Sequence, residues 1–82
     1  MTRNKIKDFV EQFGALMNKP DNCIEVEQLM LSIPDPNTFE QIRNLFYVKY
    51  NIPFLPSFLG KLSPDQHVRI LNAYKRATKD YH

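Results

Sequence analysis

An 82-residue chain with 43% hydrophobic and 24% charged residues has ordinary globular composition, which excludes intrinsic disorder. So short a chain buries only about 60 to 65% of the surface its unfolded form exposes. The core must therefore be thin, with stability drawn from packed apolar helix faces or from self-association.

Cys23 is the one cysteine, so an internal disulfide is excluded and the expected compartment is the reducing cytoplasm. Arg3, Lys5, Lys7 and Asp8 near the start, with no apolar run behind them, argue against a signal peptide. The longest uncharged stretch, Tyr50 to Gly60, holds two prolines and is too short and broken to span a bilayer. The formal net charge of +2 is unevenly spread: +1 over residues 1–17, −2 over 18–59 and +3 over 60–82. The basic end is the C-terminal one.

Ile6, Phe9, Val10, Phe13, Leu16 and Met17 recur at three- and four-residue spacings, predicting a helix over 3–18 capped by Thr2 or Asn4. Gly14 weakens that helix by about 1 kcal/mol relative to alanine, a cost tolerated where another helix approaches closely. Asn22 and Glu25 have capping-box spacing ahead of a second helix whose inward face is Val26, Leu29, Met30 and Ile33, ending at Pro34. Asp35-Pro36 reads as a cap with proline in the first turn. The helix it opens, over 36–50, turns Phe39, Ile42, Leu45, Phe46 and Tyr50 inward, and Asn51 is its left-handed stop.

Ile52 to Gly60 reads as an apolar connector with one helical turn at 56–59, because a proline drives the residue before it toward extended backbone. Ser63-Pro64-Asp65-Gln66 combines a serine cap, a first-turn proline and a capping-box glutamine, and starts the last helix. Val68, Leu71, Tyr74 and Ala77 or Thr78 line its inner side; Asp65, Arg69, Asn72, Arg76 and Lys79 line the outer. The expected fold is all-α: a single domain, residues 1–82, built as a small bundle of four main helices with the proline-rich connector before the last.

Catalysis and metal binding are not expected. Cys23, His67 and His82 show no paired ligand spacing. Nothing places a base beside Cys23 or a serine, and Gly14 and Gly60 are too isolated to form a phosphate loop. Glu25, Glu27, Asp35 and Glu40 are accounted for as caps or solvated charges, so no catalytic residue, cofactor, metal or small-molecule substrate is assigned.

Two binding readings remain. In the first, the connector residues Ile52, Phe54, Leu55, Phe58 and Leu59 crowd onto irregular backbone and form a docking surface for another protein, with self-association a further outcome; their alternative role is to close the core. In the second, Lys61, Arg69, Lys75, Arg76 and Lys79 bind nucleic acid, with Tyr74 and Tyr81 stacking on bases. A net charge of only +2, and the suitability of cations for a helix C-terminus, weigh against the second. The favoured reading is a non-enzymatic protein-interaction module with a regulatory, accessory or inhibitory role.

Overall fold

The computed structural model describes residues 3–19 and 22–78. Among these there are six helices and no strand: α1 (Arg3–Met17), α2 (Cys23–Leu31), α3 (Pro36–Tyr50), α4 (Phe54–Leu59), α5 (Pro64–Ala73) and α6 (Lys75–Thr78). The all-α expectation holds, with the connector more helical than foreseen and the last helix divided in two. No helix among the described residues is long and apolar enough to cross a membrane.

Local signals explain most helix ends. The Asp35 carboxylate accepts the Thr38 N–H at 2.7 Å, and Asn51 closes α3 in the left-handed region (φ 58°, ψ 32°). That amide hydrogen bond also holds the Asp35 carboxyl below its ordinary value. At α5 the capping box is complete: Ser63 Oγ accepts the Gln66 N–H, and Gln66 Oε1 accepts the Ser63 N–H.

The box expected at Asn22 does not form. With φ −114° and ψ 27°, Asn22 lacks the extended backbone that aims a cap side chain at its own helix. Its Nδ2 instead donates to the Leu16 carbonyl, tying the start of α2 to the end of α1. At the first helix, Asn4 lies inside α1, and Thr2 falls outside the described residues.

α1 packs most heavily on α3, α2 lies on α5 and flanks α1, and α4 and α6 close against α3. The inward stripes of the first three helices are buried or half-buried as expected. Gly14 makes room for a side chain of α3: a Cβ there would overlap the Tyr50 phenol, with Cζ only 2.5 Å away.

The connector behaves differently from the expectation. Residues 54–59 form one continuous short helix, and Phe54, Leu55, Phe58 and Leu59 are all fully buried. Pro56 stands at the third position of α4, where backbone N–H groups lack intrahelical partners, so its missing donor leaves no gap. Once the segment is helical, 54, 55, 58 and 59 share one side, and Pro53, Pro56 and Gly60 face water. Phe54 becomes the centre of an aromatic cluster, with ring centroids 4.8 Å from Phe13, 5.2 Å from Phe46, 5.3 Å from Phe58 and 5.6 Å from Phe39. Edge-on contacts of this kind favour each pair beyond the area they bury.

The last segment is broken at Tyr74, whose backbone (φ −124°, ψ 43°) leaves the helical region and separates α5 from α6. The inner row is Gln66, Ile70, Tyr74 and Ala77; Val68, expected inside, is 56% exposed. Gln66 sets this face, because its capping-box amide also reaches the Cys23 carbonyl at 3.3 Å and holds α5 against α2.

Candidate interaction surface

The connector residues offer no docking surface of their own. Phe54, Leu55, Phe58 and Leu59 are core, and Ile52 is half-buried against it. The expectation that Phe54 or Phe58 is partly exposed is overturned by the helical turn that Pro56 permits.

Among the described residues, two of the cations expected to form the basic face are engaged elsewhere in the fold. Arg69 Nε donates to Glu27 Oε2 at 2.6 Å across the α2–α5 contact. Hydrogen bonding to Arg69 lowers the Glu27 carboxyl from its ordinary value, and the same bond raises the guanidinium. Lys61 Nζ reaches the Lys19 carbonyl at 3.2 Å. Lys75 and Arg76 are exposed on α6, but Arg76 borders a depression shared with Asp35 and Glu40. Lys79, Tyr81 and His82 lie outside the described residues.

Tyr74 is not available for base stacking. It is buried, its ring stacks on Phe39 at 4.8 Å, and its hydroxyl is directed at the carbonyls of Ile33 (2.8 Å) and Met30. Burial pushes its phenol up to about 12. His67 is half-buried with Nε2 against the Leu59 carbonyl, and Cys23 packs at the edge of the core. Among the described residues no three His, Cys, Asp or Glu side chains converge on a site that could hold a metal ion.

A groove of about 290 Å³ lined largely by apolar side chains lies between α3, α4 and α6. Its lining combines the buried Phe54 and Leu55 with the exposed Pro53, Pro56, Asn44 and Tyr47, and with Ala77 and Thr78 of α6. Arg43 also lines it: Nη1 donates to the Ala77 carbonyl at 2.8 Å, and Nη2 lies 3.7 Å from Glu40. Tyr47 is 54% exposed and its neighbour Val48 is 78% exposed, so α3 carries two large apolar side chains into water beside the groove.

These residues had a sequence signal that went unused. On α3 the inward stripe absorbs Phe39, Ile42, Leu45, Phe46 and Tyr50, and Tyr47 and Val48 are the apolar residues it leaves over. Ile24, Leu31 and Val68 are exposed too, as single surface apolar residues commonly are.

No family model, curated protein or solved structure matches the chain.

Proposed function

We propose that this domain is a non-catalytic protein-binding module whose contact site is the groove between α3, α4 and α6. The observation that carries the reading is the groove's lining: the apolar Phe54 and Leu55, two exposed prolines, a half-exposed tyrosine and the Arg43 guanidinium. Rigid aromatic and proline surface costs little conformational entropy to cover, which suits an interface. The volume of about 290 Å³ lies at the lower edge of small-molecule pockets, roughly 300 to 1,000 Å³. It is suited to one or two side chains inserted from a partner.

The occupant this chemistry fits is a peptide segment with an aromatic or aliphatic anchor and a carboxylate next to it. The anchor would lie on Phe54 and Leu55; the carboxylate would face the Arg43 guanidinium, whose five donors are not exhausted by one carbonyl. The pairing of Arg69 with Glu27 and the burial of Tyr74 favour this reading over nucleic-acid binding.

Affinity selection of a random-peptide library on the intact chain and on Pro56→Arg, which puts a long side chain over the groove, tests it. Selected peptides should share an apolar anchor with an acidic neighbour and bind the parent at least about tenfold more tightly, as for an anchor in a desolvated site. Equal binding to both proteins, or no enrichment, would overturn the groove. Binding of mixed-sequence nucleic acid that falls steeply with salt and disappears in Lys75→Gln/Arg76→Gln would favour the nucleic-acid reading instead.

A further inference from the structure

Building on the reading of the groove as a peptide site, we infer that in the free chain this groove is covered by the chain's own segment 79–82, with Tyr81 as the anchor and Asp80 as the carboxylate. A partner peptide must then displace a built-in competitor. Segment 79–82 lies outside the described residues, but its point of departure is fixed. Ala77 and Thr78, the last two described residues, both line the groove, so Lys79 follows directly from that lining.

Reach is sufficient. Tyr81 stands three and four residues after Thr78 and Ala77, and residues so spaced fall on one side wherever a helix continues. On extended backbone three residues span at most about 10 Å, more than the roughly 8 Å across a round hollow of about 290 Å³.

The chemistry matches as well. Asp80-Tyr81 is an aromatic anchor with an acidic neighbour. Every other place where a carboxylate adjoins a large apolar residue lies inside α1, α2 or α3, so no other part of the chain can offer such a pair as a free segment. Arg43 Nη1 already meets the Ala77 carbonyl, three residues before Asp80. A guanidinium has five donors, and a carboxylate arriving there shares it by a charge-assisted hydrogen bond. A short tether also presents its end at an effective concentration on the order of millimolar, enough for a weak contact to fill the groove.

Methyl NMR of the full chain and of Tyr81→Ala tests the cover. Leu55 lines the groove and Val68, exposed on α5, does not. Removing the Tyr81 ring should therefore move the Leu55 methyl resonances and leave those of Val68 in place. An acetylated peptide spanning residues 78–82, added in trans, should bind Tyr81→Ala at least about twofold more tightly than the parent, because a groove covered half the time or more leaves at most half the sites competent. Adding Pro56→Arg to Tyr81→Ala should abolish that binding. Leu55 methyl resonances unmoved by Tyr81→Ala, or a peptide bound by neither protein, would overturn the inference. So would a Leu55 shift that disappears when the parent is diluted, since the segment would then come from another copy. A peptide bound equally by parent and Tyr81→Ala but lost with Pro56→Arg would remove the self-cover and keep the groove, whereas library peptides indifferent to Pro56→Arg would remove the groove itself.

Discussion

At Tyr74 one hydroxyl serves the end of a helix more than forty residues earlier in the chain. The last carbonyls of a helix have no intrahelical donor, and here the phenol supplies one to Ile33 just past α2. Because burial raises the phenol's folded value to about 12 from an ordinary 10.0, the folded state holds this proton more tightly than the unfolded chain. The associated stability is complete below pH 10 and is lost as pH rises from about 10 to about 12. Tyr74→Phe is expected to lower stability at neutral pH by about 1 to 3 kcal/mol, the cost of a buried carbonyl without its donor. It should also remove the alkaline decline attributable to this group. Denaturant midpoints of parent and variant between pH 7 and pH 12 check both; parallel curves would show that Tyr74 ionises without consequence. Cap residues with local partners, Asp35 and Ser63, were legible in the sequence. Asn22 and Tyr74 were not, because their partners, Leu16 and Ile33, are supplied by the tertiary fold.

Among the elements, α1 and α3 show how packing overrides propensity. Gly14 should cost α1 about 1 kcal/mol relative to alanine, yet a methyl group there would run into the Tyr50 ring, which itself packs on Phe46 at 4.7 Å. Gly14→Ala is therefore expected to destabilise by about 1 to 3 kcal/mol, the usual cost of overpacking. In a Tyr50→Ala background the same change should stabilise by up to about 1 kcal/mol, because only the propensity gain remains. Thermal midpoints of the four proteins settle the sign in each background. The periodicity of α1, α2 and α3 made their inward faces readable. α5 was misread because Val68, Leu71 and Tyr74 recur every three residues, whereas the buried row Gln66, Ile70 and Tyr74 recurs every four. The helix at 54–59 is not legible in the sequence because Pro53 and Pro56 disfavour regular structure there, although a first-turn proline is compatible with a helix.

For the molecule as a whole, the decisive feature is a single core joined through α4. Phe54 touches the rings of Phe13 from α1, Phe39 and Phe46 from α3, and Phe58 of its own helix. Removing it opens a cavity shared by three elements, so Phe54→Ala is expected to cost about 3 to 5 kcal/mol. That is a large share of the stability of a domain this size, roughly 0.05 to 0.15 kcal/mol per residue. With no second core among the described residues to persist alone, unfolding should be one transition. Near-UV and far-UV circular dichroism melts should coincide in parent and variant alike. The helical class and single-core design could be read from composition and period. The closure of that core by 54–59 could not, because burial there depends on rings contributed by distant segments.

The shortness of α4 carries a consequence in time. Six residues are far fewer than the roughly 12 to 15 an isolated helix needs to persist in water, so α4 cannot seed the fold. It can settle only after α1 and α3 have brought Phe13, Phe39 and Phe46 into place. Interactions that form late are absent from the folding transition state, and their loss appears mainly as faster unfolding. Phe54→Ala should thus steepen the rate at which the native state opens and leave the refolding rate close to that of the parent. The native lifetime of this domain is then governed by a helix too short to exist on its own.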